Sequence, residues 1–184
     1  MSEFKVKDAM VALDDYATVS EDATLYEAVL ALEEAQHTFS RSEYQHRAIL
    51  VFNKTGQIVG KVSQLDVVRS LEPNHQKAGE LDAVGRFGFS AVFVKSLQEE
   101  YGHWQKPFDD ICRKSASIKV KDIMHAPTEG EFVDQEAPLD AAIHQLVKGH
   151  HQSLLVTRGD QVVGILRLSD VFNEVCKTIK DCGS

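Results

Sequence analysis

Cysteine is scarce in this 184-residue chain: Cys112, Cys176 and Cys182 show neither metal-ligand spacing nor a disulfide framework. That argues against a zinc-ribbon or disulfide-stapled fold and for a reducing compartment, with Cys112 and Cys176 expected as apolar filler. No apolar run approaches the roughly 18 residues needed to span a bilayer. Met1-Ser2-Glu3-Phe4-Lys5 also lacks the apolar core of a signal peptide. The expectation is a cytoplasmic protein without a membrane partner. Positive charge is in deficit, 20 basic residues against 28 acidic for a net charge of -8. A general nucleic-acid binder is therefore not expected, because its affinity rests on cations meeting phosphates. A small anionic ligand held by a local cluster is still compatible with this balance.

Catalytic signatures are missing too. The sequence has no G-x-S-x-G, H-E-x-x-H, G-x-x-x-x-G-K-[ST] or C-x-x-C. Asp14-Asp15 and Glu33-Glu34 read as solvated acidic faces, so no enzyme is expected. His144, His150 and His151 invite a metal reading, but adjacent histidines do not face one way, and no cysteine or nearby carboxylate completes tetrahedral spacing. They are expected to be structural or incidental, and no cofactor or metal is expected.

What the chain does contain is a duplication. Val6-Lys7-Asp8-Ala9-Met10 returns as Val120-Lys121-Asp122-Ile123-Met124, an offset of 114. Leu25, Ala28, Val29, Leu32 and Ala35 then mark the apolar face of a helix, matched by Leu139, Ala142, Ile143 and Leu146. Thr24 and Glu27 form a capping box for the first helix, whereas Pro138 opens the second without a side-chain cap. Each copy continues as two short strands around a glycine turn, Ala48–Phe52 with Gln57–Val62, and Ser153–Val156 with Gln161–Leu166. Between Gly60 and Gly164 the offset is 104, so the first copy carries about ten extra residues, most of them near 37–45, expected as a surface loop. Each copy closes on a helix, Gln64–Leu71 or Ser169–Ile179. The intervening stretch has a helix-like run from Phe89 to Leu97, then Trp104, Pro107, Phe108 and a short helical piece around Ile111. It is too apolar for a free linker and is expected to pack across the repeats or in a dimer contact. The expected division is residues 1–71, 72–117 and 118–184.

Gly60-Lys61-Val62-Ser63-Gln64-Leu65-Asp66 is where a strand hands over to a helix. Ser63 suits the N-cap and Asp66 the third helical position. A hydroxyl, free N–H groups and a carboxylate meet there, a setting that suits a phosphate and the two hydroxyls of a ribose. A plain capping box accounts for the same residues equally well.

The order β-α-β-β-α, twice, with D-x-M before and G-h-x-x-x-x-D after, resembles a tandem pair of CBS domains (a Bateman module) over roughly residues 4–71 and 118–180. The resemblance implies an α/β (α+β) fold of two repeats packed about a pseudo-twofold axis, with two clefts that take AMP, ADP, ATP or S-adenosylmethionine. It also implies a regulatory module without chemistry of its own, pairing into a homodimer and acting on an unidentified regulated protein.

On that resemblance Asp66 and Asp170 hold ribose hydroxyls and Ser63 meets phosphate. At the Ser63 position the second copy has Arg167, readable as a phosphate clamp or as a salt bridge to an acidic neighbour. Unequal binding by the two clefts is expected from that difference. His46 and His151, at matched places before the inner strands, face the cleft in the family; exposed histidines at a strand start are the plainer reading. Lys61 is a candidate phosphate contact or a solvated strand lysine. Thr18 and Phe132 fall near the strand that lines the adenine pocket. Two rivals stand beside this reading: a ligand-free interaction or dimerisation module, and a divalent-metal sensor using the histidines.

Overall fold

Two hairpins of apolar strands form the centre of the molecule, seen in a computed structural model that describes residues 4–38, 45–71 and 111–182. The first half contains α1 (Val6–Ala9), β1 (Val11–Ala12), a 3-10 turn (Leu13–Asp15), β2 (Thr18–Ser20), α2 (Leu25–Thr38), β3 (Ala48–Phe52), β4 (Ile58–Ser63) and α3 (Gln64–Leu71). After α4 (Ile111–Ser117), the second half contains α5 (Val120–Ile123), a 3-10 turn (Glu129–Glu131), β5 (Phe132–Asp134), α6 (Leu139–Gly149), β6 (Ser153–Arg158), β7 (Gln161–Arg167) and α7 (Leu168–Cys182). The hairpins turn at Gly56 and Gly159, whose φ values of 81° and 61° favour glycine. In each half a helix carries the chain from a short strand to a parallel neighbour, β2 to β3 and β5 to β6.

The inner strands are apolar on both faces because both faces are covered. Ile49 and Val51 of β3 point into the core beneath α2, while Leu50 between them points the other way. Leu154 and Val156 of β6 meet α6, and Leu155 turns to join Leu50. Leu50, Leu155, Ile165, Val11 and Tyr16 thus form a middle layer between the two sheets, all nearly or fully buried. The strand period of two divides each hairpin between two cores.

The two halves exchange their first segments. β1 leaves the first half and pairs antiparallel with β7, Val11 opposite Ile165, giving the order β1-β7-β6-β5. His125 makes the reciprocal bridge to Lys61 of β4. Val6 lies in the second core and Val120 in the first, both fully buried. The hydrogen bonds repeat in step: Val6 N donates to Ala137 O and Lys7 N to Gln135 O, as Val120 N does to Ala23 O and Lys121 N to Glu21 O. Burying each valine in the opposite core stabilises the pair by about 2 kcal/mol. Lys5 and Lys7 meet Glu136, while Lys121 meets Asp22, so each arm is also pinned by charge at its surface.

One expectation changes here. Cys112 is exposed and Cys176 only half-buried, so neither is core filler; the apolar face of α7 is filled instead by Val171. The helix expected from Phe89 to Leu97 and the Trp104–Phe108 stretch lie outside the described residues, as does most of the 37–45 insert. The end of the connecting segment is α4, which packs on α2 and α3, with Lys114 Nζ donating to the Leu71 carbonyl at 3.3 Å. No helix among the described residues is long and apolar enough to cross a membrane.

Candidate functional site

The exchange creates two related seams, each with an arm from one half lying beside the closing helix of the other. At the seam between the first arm and α7 there is a cavity of about 360 Å³. The stretch from Lys7 to Val11 forms one wall, and Arg167, Asp170, Asn173, Glu174 and Lys177 form the other. That volume falls within the range of small-ligand sites.

Arg167 stands where β7 becomes α7 and cannot cap a helix. Its guanidinium instead grips Asp170, Nε donating to Oδ2 at 2.6 Å and a terminal nitrogen to Oδ1. Its other terminal nitrogen lies 3.4 Å from His46 Nδ1, and the arginine is only 5% exposed. His46 is fully buried and meets Tyr16 edge to face, ring centroids 4.3 Å apart. Burial, and then the positive Arg167, push the His46 imidazole down to about 4, so it stays neutral. Burial also raises the Tyr16 hydroxyl to about 12, against the opposing pull of Arg167. Tyr16 and His46 come from the first half, Arg167 and Asp170 from the second, so the network spans the seam.

The other seam is built differently. Ser63 and Asp66 make the expected capping box: Ser63 N and Oγ donate to Asp66 Oδ2 at 2.8 and 2.6 Å, and Asp66 N donates to Ser63 Oγ at 3.2 Å. Beside them Lys61 Nζ pairs with Glu131 Oε2 across the two halves. Glu131 Oε1 lies 2.6 Å from His125 Nε2 and accepts from Thr128 N at 3.2 Å. Glu131 is 3% exposed. Burial pushes its carboxyl up, but the bonds from His125, Lys61 and Thr128 outweigh burial and bring it down to about 2.

The residues singled out from sequence therefore divide. Asp170 and Arg167 share the cavity wall, with His46 behind them, buried rather than exposed. Arg167 makes the salt bridge that was one of its two readings. Lys61 is neither solvated nor free for phosphate: its amine is taken by Glu131. His151 is half-buried with its ring against Gly149. Thr18 begins β2 opposite Leu50, and Phe132 packs on the layer between the sheets. His150 has a structural role, ending α6 in the left-handed conformation with φ 52°. Tyr16, His125 and Glu131 were missed. For His125 and Glu131 a signal was available, because the 114 offset sets Ala17 against Glu131 and Val11 against His125, apolar against ionisable.

The CBS domain family profile matches residues 6–73 and 120–177, more than half of the chain. The chain belongs to the CBS domain family. No curated protein matches the CBS pair in sequence. Among solved structures it is similar to the CBS domain of a CBS domain-containing membrane protein from Sphaerobacter thermophilus, with 17% identity and a TM-score of 0.60 over 93% of this chain and 87% of that one. It is also similar to the CBS-pair protein CBSX2 from Arabidopsis thaliana, with 16% identity and a TM-score of 0.62 over 97% and 99% of the two chains. CBSX2 has also been crystallised in complex with AMP; that structure shares 16% identity and a TM-score of 0.58 over 95% and 98% of the chains. At these identities the likeness establishes the fold alone.

Proposed function

We propose that this CBS pair binds an adenosine-containing ligand (AMP, ADP, ATP or S-adenosylmethionine) in the cleft beside Asp170 and passes the bound state to a partner or to a second copy of itself. The observation that supports this most is the placing of Asp170. Its carboxylate sits on the wall of a cavity walled by both repeats. A ligand there contacts both repeats, and shifts their arrangement by as much as its affinity differs between the two states. The AMP complex of the similar fold CBSX2 is in line with this reading. The chain is read as cytoplasmic and without chemistry of its own, acting through an unidentified regulated protein.

Homodimerisation is the output with a feature to support it. Leu168, Phe172, Val175 and Ile179 are exposed along one face of α7, at steps of four, three and four. That is the spacing of a helix-pairing seam. The same stripe also favours the rival reading, a ligand-free dimerisation module. Melting the protein with each of the four ligands separates them. A ligand that binds only the folded state at 100 times its Kd adds about 2.7 kcal/mol and raises Tm. An unchanged Tm with every one of them leaves the dimerisation module.

A further inference from the structure

The internal duplication makes each seam the control for the other. Val11 and Ile165 face each other across the β1–β7 ladder, and in the other half His125 and Lys61 hold the same register. Ala17 precedes β2 as Glu131 precedes β5, since Thr18 pairs with Leu50 as Phe132 pairs with Leu155. At the Asp170 seam these places hold Val11, which reaches the cavity, Ile165, buried beside it in the middle layer, and Ala17, which turns into the first core. The Asp66 seam has at the same three places a histidine, a lysine and a glutamate. These three close on one another between the repeats, with Glu131 buried and Lys61 mostly so.

We propose that the Lys61–Glu131–His125 cluster shuts the Asp66 seam to a purine base, so that the CBS pair takes one adenine nucleotide per chain, in the Asp170 cleft. A purine needs open space beside an apolar wall, which Ala9, Met10 and Val11 supply in the otherwise polar Asp170 cavity. Entering the Asp66 seam it would have to part Lys61 from Glu131 and leave a buried charge without its partner, which is costly in a protein interior. The Asp170 cleft imposes no such cost, because its cavity is already open beside the Arg167–Asp170 fork, which is as buried as the other pair but need not part, and Asp170 keeps lone pairs for a diol. The Ser63–Asp66 box is left as a helix cap.

This inference rests on the reading of the chain as an adenosine-ligand binder, and the test separates the two. AMP is titrated calorimetrically into the full chain, into Asp170→Asn, and into a triple variant, Lys61→Ile, His125→Val and Glu131→Ala, which copies the apolar set of the other seam. The expected results are one AMP per chain for the unaltered protein, at least tenfold weaker binding for Asp170→Asn, and two per chain for the triple variant. Two equal sites in the unaltered protein, undiminished binding by Asp170→Asn, or a triple variant that folds and still takes one AMP would each overturn the inference while leaving nucleotide binding in place. No binding of AMP, ADP, ATP or S-adenosylmethionine to the unaltered protein would overturn the reading beneath it as well.

Discussion

The main chain of Val11 passes so close to Gly164 that a Cβ built on this glycine would lie 2.4 Å from the Val11 carbonyl oxygen. At the matching place, a Cβ on Gly60 would meet Met124 Sδ at 2.6 Å and the His125 carbonyl oxygen at 3.2 Å. The glycine of each repeat and the methionine of the other, Gly60 with Met124 and Gly164 with Met10, are therefore two sides of one crossing, where an exchanged arm lies flat on the opposite sheet. A methionine end can move aside; a strand carbonyl held in a ladder cannot. Gly164→Ala should thus cost about 3 kcal/mol, near the upper end for overpacking, and Gly60→Ala about 1 kcal/mol. Thermal unfolding of the two variants measures the difference. Equal losses would mean that the crossings are not built as described.

The buried pair Lys61–Glu131 and the surface pair Lys7–Glu136 both join the repeats, with side-chain exposures of 17% and 4% against 41% and 46%. Water screens the second pair and hardly reaches the first. Double-mutant cycles in alanine should give a coupling of about 2 kcal/mol for Lys61–Glu131, and about 0.5 kcal/mol or less for Lys7–Glu136. Raising the salt concentration should erode the surface coupling and leave the buried one nearly unchanged. Similar couplings for the two pairs would argue against a seam locked by Glu131.

Acid should destabilise the protein in two separable windows. His46 titrates near 6.5 when unfolded and at about 4 when folded. Between those values the unfolded chain holds the extra proton, so stability falls as pH drops from 6.5 toward 4. Glu131 is lowered too, from its usual 4.5 to about 2, because the bonds from His125, Lys61 and Thr128 outweigh its burial. Its contribution is complete above 4.5 and is lost as pH falls toward 2. His46→Gln should flatten the upper window and leave the lower one, as read from urea midpoints between pH 3 and pH 7. An unchanged slope above pH 4.5 would mean that His46 takes a proton in the folded protein as readily as in the unfolded one.

Much of the fold was legible because its signals are local. The hairpins around Gly56 and Gly159, the capping box of Thr24 and Glu27, and the helix from Gln64 to Leu71 each follow from a few adjacent residues. The exchange of the arms was not legible. Val6 and Val120 are valines in like settings, and nothing in either segment says which of two similar cores receives it. The candidate site was legible in part for the same reason. Asp66 and Asp170 stand out by motif, whereas Glu131 and Tyr16 gain their meaning from partners far away in sequence, Lys61 for one and Arg167 for the other.

If the α7 stripe holds two copies together, a charge there should part them without touching the core. Phe172 and Ile179 are 56% and 65% exposed, so Phe172→Glu with Ile179→Glu should change monomer stability by no more than about 0.5 kcal/mol per site. Sedimentation equilibrium is expected to show a dimer for the unaltered protein and a monomer for the double variant. An identical mass for both proteins would remove α7 from the interface.

The most direct test of the account is a crystal structure of the protein grown with AMP. The account predicts nucleotide density between the Lys7–Val11 arm and α7, with the ribose hydroxyls on the Asp170 carboxylate and Lys61 still on Glu131. Density at Asp66 with the Lys61–Glu131 pair broken, and none at Asp170, would contradict it.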